Sequence, residues 1–133
     1  MALRFLIVDD DESVHLYLQA VLASYGTFVT AMSGEEAVDR YSLALKEGHP
    51  FDVVMMDIVM PGMDGHKASE IMRAREKAAS IAESDRFKLV MITGLVDKVN
   101  VDKAFSDSGA DSYIVKPLDK DKIIIELKGK RII

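Results

Sequence analysis

The chain has 133 residues, 49% of them hydrophobic, which is enough for one domain with a real core, residues 1–133, and leaves little room for a second. It contains no cysteine, which excludes a disulfide framework or a thiolate metal site and fits a reducing compartment. A formal net charge of −5 argues against bulk electrostatic attachment to nucleic acid or anionic membrane. The opening run to Val8 meets Asp9 too early for a signal peptide or a membrane span, so the expectation is a cytoplasmic protein that acts on other proteins.

Arg4 to Val8 is a compact apolar run that predicts a buried strand, and it stops at Asp9, Asp10 and Asp11. Asp10 or Asp11 can cap the helix that follows, in which Val14, Tyr17, Leu18, Val21, Leu22 and Tyr25 recur at helical spacing until Gly26 closes it. Thr27 to Ala31 predicts a second strand. Ser33 with Glu36 three residues on reads as a capping box, opening a helix through Ala37, Tyr41 and Leu45 that ends near Gly48. The run from Val53 is apolar without alternation, as a strand buried on both faces requires, and it ends on Asp57 ahead of a loop marked by Pro61, Gly62 and Gly65.

A third helix is expected from His66, with Ala68, Ile71, Met72 and Arg75 on its inner side. Glu76 to Asp85 is polar and alanine-rich, which suits extra helical turns or an irregular surface excursion. Phe87 to Thr93 predicts the fourth strand, and Asp97 to Ser108 a helix with Val101, Ala104 and Phe105 on one face, closed by Gly109. Ser112 to Val115 predicts the fifth strand. Lys116 and Pro117 follow, and Asp119 can cap a last helix bearing Ile123, Ile124 and Leu127. The tail from Gly129 to Ile133 carries no clear pattern. His15, His49 and His66 lack ligand spacing and are expected on helix surfaces or loops without chemistry; the eight methionines read as core filler.

Strict alternation of five strands and five helices predicts an α/β domain with a parallel sheet covered on both faces. Right-handed crossovers favour the strand order 2-1-3-4-5, the flavodoxin-like doubly wound arrangement, with its ligand crevice where the chain reverses direction across the sheet. In that order Asp9 and Asp10 lie beside Asp57, and Thr93 lies on the other flank, at the strand spacing of about 4.8 Å. Lys116 is two strands away, a gap of roughly 10 Å that a lysine can lean across. Three such carboxylates repel one another and call for a hard cation, for which Mg2+ is the natural choice. With the charge offset, Asp57 can act as a nucleophile toward phosphorus, Lys116 can balance the phosphoryl oxygens, and Thr93 can donate to them.

Four motifs in this order and spacing now carry a resemblance. Val8-Asp9-Asp10, Met56-Asp57-Ile58 with Met60-Pro61-Gly62-Met63-Asp64-Gly65, Ile92-Thr93-Gly94 and Tyr113-Ile114-Val115-Lys116-Pro117 make the sequence similar, over essentially its whole length, to the receiver domain of bacterial two-component response regulators. The resemblance implies a phosphoprotein rather than a conventional enzyme, one that assists its own phosphorylation and dephosphorylation. Asp57 would take a phosphoryl group from a histidine kinase or a histidine phosphotransfer protein. Asp9, Asp10, Asp57 and the backbone carbonyl of Val59 would hold magnesium. Thr93 and Tyr113 match the family's switch pair, Gly94 follows the threonine, and the bond between Lys116 and Pro117 is expected to be cis. A downstream protein would bind the face made by the fourth helix, fifth strand and fifth helix, and phosphorylation-dependent homodimerisation is a further option.

Two features depart from the commoner pattern. Val59 and Leu95, two residues beyond Asp57 and Thr93, are both apolar, which implies a long-lived aspartyl phosphate. The stretch from Arg75 to Arg86 is long, as in receivers attached to hybrid kinases. Two rival readings stand beside this one. A haloacid dehalogenase-type phosphatase would put the nucleophile at Asp9, but the threonine that family carries after its second Asp is missing and Asp57 goes unexplained. A receiver fold that binds constitutively would need none of the acids. No DNA-binding helix pair follows Lys116 before Ile133, so output is expected through another protein unless this sequence is part of a longer one.

Overall fold

A computed structural model describes residues 2–133. The strands are β1 (Leu3–Val8), β2 (Gly26–Ala31), β3 (Val53–Met56), β4 (Lys88–Thr93) and β5 (Ser112–Val115); the helices are α1 (Glu12–Leu22), α2 (Gly34–Lys46), α3 (Gly65–Ala78), α4 (Lys98–Ser106) and α5 (Lys120–Gly129). All four strand pairings are parallel and the order is β2-β1-β3-β4-β5, as the alternation of elements predicts. Successive strand residues point to opposite faces. Leu6, Val8, Val54, Met56, Leu89 and Met91 therefore meet α2, α3 and α4 through Tyr41, Met72 and Ala104. Phe5, Ile7, Val53, Met55, Val90 and Ile92 meet α1 and α5 through Leu18, Leu22, Ile123 and Leu127. Both faces being dry is why these strands show no polar alternation.

Each helix starts on a side-chain cap, which satisfies a backbone donor that would otherwise lack a partner. Asp11 accepts from Ser13, Ser33 from Glu36 and Asp119 from Lys122, all anticipated; Asp64 and Asp97 do the same for Lys67 and Asn100.

Several placements differ from the sequence expectation. Gly26 does not end a helix but opens β2, where a Cβ would lie 2.0 Å from the Leu3 carbonyl oxygen. Gly26→Ala is accordingly expected to cost more than about 2 kcal/mol, because backbone rather than a movable side chain must yield. A denaturant titration measures it, and an unchanged midpoint with an unchanged slope would contradict this packing.

The inner side of α3 carries His66, Ser69, Met72 and Glu76 while Arg75 is exposed, because His66 and Glu76 are hydrogen-bonded there rather than solvated. Glu76 is buried and accepts from the Phe87 amide at 2.8 Å and from Arg73 at 3.1 Å. Arg73 also donates to the carbonyls of Phe87 and Gly109 at 2.7 and 2.8 Å and stacks over the Phe87 ring. This network explains how the long polar connection stays ordered: the helix runs to Ala78, Ser80 adopts a φ of 56°, and a single 3-10 turn over Glu83–Asp85 leads into β4. Phe105 is not on the buried face of α4 but 44% exposed. Ile132 of the unassigned tail is buried against the α1 and α5 side. His15 and His66, expected at the surface, are both buried, whereas His49 is exposed.

Candidate functional site

The register that pairs Val8 with Met56 brings the next residues of β1 and β3, Asp9 and Asp57, side by side at the carboxyl ends of adjoining strands. The Asp57 amide donates to the Val8 carbonyl at 2.9 Å and the Asp9 amide to Ala31 at 3.2 Å, so both acids leave the sheet from anchored backbone. Asp9 is 0% and Asp57 5% exposed, and Asp10 stands at the rim. One carboxylate oxygen from each of the three lies within 4.8 Å of the others. Gly65 lets α3 begin directly against this strand end, since a Cβ there would sit 2.1 Å from the Asp57 carbonyl oxygen.

Lys116 reaches the acids from β5, across β4. Its amide donates to the Thr93 carbonyl at 2.9 Å, its bond to Pro117 is cis, and its Nζ lies 2.7 Å from Asp9 Oδ2 and 3.2 Å from Asp57 Oδ2. Burial, followed by the charge of Asp9, pushes the Asp57 carboxyl above its ordinary range, although Lys116 and the Val59 N–H act the other way. For Lys116 burial pulls downward, but the bond to Asp9 and the charges of Asp57 and Asp9 outweigh it and hold the ammonium above its usual value. Three carboxylates against one ammonium leave a surplus of negative charge in a nearly dry crevice. An all-oxygen donor set of that kind fits a small hard dication. Among the described residues it is the cluster in which three acids lie this close.

Thr93 is fully buried at the end of β4, and its Oγ1 accepts from the Leu95 amide at 3.4 Å. Gly94 beside it is open, with nothing within 4 Å of where a Cβ would lie. The half-buried Tyr113 donates its hydroxyl to the Leu95 carbonyl at 2.7 Å, and burial, with Asp97 and Asp57, pushes its phenol pKa up. Val59 is 60% exposed next to the acids. A concavity of about 410 Å3 lined by Asp11, Val14, Tyr17, Lys116, Pro117 and Leu118 opens beside them, while a larger one of about 640 Å3 lies among the strand starts around Leu3 and Arg86, remote from the chemistry. His15 is a contact that sequence reasoning missed. Its Nε2 meets the Asp9 carbonyl oxygen at 2.7 Å, bracing the acid from α1, and its spacing with Leu18 and Leu22 was the available signal.

A doubly wound parallel sheet that gathers acids and a lysine at the carboxyl ends of its central strands is an α/β domain with its polar crevice at the switch point, where such folds place their ligand sites. The family model described as Response regulator receiver domain matches residues 5–128, and the chain belongs to that family, the signalling switches of two-component systems. It is 39% identical over 123 residues to the chemotaxis protein CheY of Treponema pallidum, covering 91% of this chain and 77% of that protein. It is 32% identical over 130 residues to the DNA-binding response regulator MtrA of Mycobacterium tuberculosis, covering 98% of this chain but 51% of MtrA. The match to the sensor protein GacS of Pseudomonas syringae, 32% over 121 residues, covers 90% of this chain and 12% of GacS. The chain thus spans about half the length of the MtrA relatives. The structure of a CheX-CheY-BeF3-Mg+2 complex from Borrelia burgdorferi superposes with a TM-score of 0.81 at 29% identity, covering 96% of this chain and 87% of that one. CheY4 of Vibrio cholerae shares the fold at a TM-score of 0.80 and 23% identity, with both chains fully covered. Membership displaces the dehalogenase-type phosphatase reading. No helix among the described residues is long and apolar enough to cross a membrane.

Proposed function

We propose that this domain is a phosphoacceptor switch in which Asp57 takes a phosphoryl group from a phosphohistidine on a kinase or phosphotransfer protein. The observation that carries this is the convergence of Asp9, Asp10, Asp57 and the Lys116 ammonium on one crevice. An Asp57 carboxylate oxygen attacks phosphorus as the P–N bond breaks; the electron pair leaves with the imidazole nitrogen, which takes up a proton. Lys116 is already between Asp9 and Asp57 and can follow the incoming phosphoryl oxygens, while the Thr93 hydroxyl, now committed only to the Leu95 amide, can turn to donate to them. Gly94 leaves the backbone beside Thr93 free of side-chain bulk. Asp9, Asp10 and Asp57, with the Val59 carbonyl, would hold Mg2+, which supplies charge neutralisation when bound.

Phosphorylation would bias two arrangements of the loop after Thr93, with Tyr113 responding through its bond to Leu95. The readout surface would be the α4-β5-α5 face, where Val99, Phe105, Val115 and Ile125 stand exposed around the half-buried Tyr113. A downstream protein is the favoured occupant, in a cytoplasmic setting; the same face would serve a phosphorylation-dependent homodimer. Intact mass after incubation with acetyl phosphate and Mg2+ tests the reading. Wild type should gain one phosphoryl group and Asp57→Ala none; a wild type that never gains it would leave a constitutive binding module instead.

The acyl phosphate is expected to be long-lived, because the exposed Val59 and the partly buried Leu95 offer no polar group to orient an attacking water. Val59→Asn should shorten its lifetime several-fold in a decay assay. Equal or slower loss in the variant would count against that explanation.

A further inference from the structure

α4 brings little apolar burial to the fold. Ala104 is its buried residue, Val101 is half-buried, and Val99 (75% exposed) and Phe105 face outward. What reaches it from the interior is His66, at the start of α3. The buried ring places Nε2 3.0 Å from Asn100 Oδ1 and Nδ1 3.0 Å from Ser108 Oγ, so one side chain grips the first turn of α4 and the loop just past its end.

The polarity of the contacts follows from the anion at the end of the chain. The Asp97 carboxylate can only accept, and Asn100 Nδ2 donates to both of its oxygens, at 2.9 and 3.0 Å. The amide oxygen of Asn100 therefore faces His66, which must offer it a proton from Nε2. In the neutral ring Nδ1 then accepts from the Ser108 hydroxyl. Every buried partner is satisfied, and removing one strands the next.

This chain starts at a sensitive place. Asp97 is the N-cap of α4 and ends the loop that leaves Thr93, the loop whose Leu95 carbonyl receives the Tyr113 hydroxyl. His66 directly follows Gly65, which abuts the Asp57 carbonyl. The ring thus joins the segment leaving Asp57 to the segment leaving Thr93. We propose that His66 is a positioning residue that clasps α4, and that the chain Asp97, Asn100, His66, Ser108 couples the state of the Asp57 site to the exposed face of α4. The coupling rests on the phosphoacceptor reading; the clasp does not. With so little apolar burial, α4 is the element that moves at least cost once the chain rearranges.

Amide hydrogen exchange on the full chain tests both halves, comparing wild type with His66→Leu, each alone and with BeF3 plus Mg2+. Without ligand, His66→Leu should speed exchange of the α4 amides by about tenfold or more, with β1 and β3 amides unchanged, as loss of local buried hydrogen bonds implies. BeF3 should alter α4 exchange several-fold in wild type and little in the variant. A structural anchor alone would speed α4 exchange yet leave the BeF3 response intact, which would overturn the coupling; unchanged α4 exchange would overturn the clasp. Asn100→Ala, at a half-exposed helical position, removes the same bond and should reproduce the result should His66→Leu fail to fold. Nitrogen-edited NMR of the imidazole should report the Nε2–H tautomer in wild type, and an Nδ1–H tautomer would contradict the polarity of the chain. Fluorine NMR of bound BeF3 reports occupancy separately: no binding by wild type would remove the phosphoacceptor reading, while the exchange comparison without ligand still decides the clasp.

Discussion

Asp57→Asn is expected to abolish phosphoryl uptake while making the metal-free protein more stable. Asp57 is buried beside Asp9, which has no exposure at all, and one shared lysine does not offset both charges. Its carboxyl is held above the ordinary value of 3.8, first by burial and then by Asp9. Between that ordinary value and the raised one, the folded protein keeps a proton that the unfolded chain has lost. Stability contributed by this group therefore declines as pH rises through that window and stays lost at neutral pH. Asparagine removes the charge and with it the decline. The metal-free variant should melt higher at neutral pH, by about 4 °C, roughly what 1 kcal/mol produces in a domain of this size. The difference should shrink as pH falls toward the ordinary carboxyl value. Magnesium should reverse it, because an ion at a hundred times its dissociation constant adds about 2.7 kcal/mol to the form that binds it, more than the variant's advantage of about 1 kcal/mol, and wild type keeps the full acid set. Melting curves of both proteins across pH, with and without Mg2+, decide this; a variant less stable than wild type without metal would mean that the acids are not crowded as described.

Much of this site was legible because its parts sit at strand ends, where a short apolar run and a sharp change to acid or threonine mark the boundary in the sequence itself. Asp9, Asp57, Thr93 and Lys116 each follow or end such a run, and parallel pairing leaves few ways to arrange them. The helices were less legible wherever an inner face is polar. Arg73 and Glu76 face inward because each satisfies the other and the backbone around Phe87, a pairing that hydrophobic spacing does not reveal; Arg75 fits that spacing yet is exposed. His15 and His66 were missed for the same reason, since a buried histidine is recognisable only from partners that lie on other elements. Phe105 fits a helical stripe yet stands exposed, because α4 packs through little more than Ala104. Gly26 reads as a helix stop, and only the approach of Leu3 reveals why a side chain is excluded there.

Lys116→Met carries the other large effect, and it separates two roles of the same ammonium. Removing the charge leaves Asp9 and Asp57 facing each other without a cation. Stranding buried charges this way costs about 3 to 5 kcal/mol when the pair is fully dry. Lys116 is 26% exposed in its side chain, so screening reduces the expected loss to about 2 kcal/mol, or roughly 8 °C in melting temperature. Because the folded ammonium is held above the lysine reference of 10.5, its contribution is complete at and below neutral pH as far as Lys116 itself is concerned, and is lost only as pH rises beyond that reference through the folded value. Magnesium can take over the neutralising role, so it should recover most of the lost stability. It cannot replace a donor aimed at the oxygens of the transferring group, so the rate of phosphorylation by acetyl phosphate should remain down by about a hundredfold, the usual consequence of deleting one such donor. Melting and labelling measured together at saturating Mg2+ distinguish the roles. Recovery of both would reduce Lys116 to a structural counterion, whereas recovery of stability alone assigns it to the transfer step.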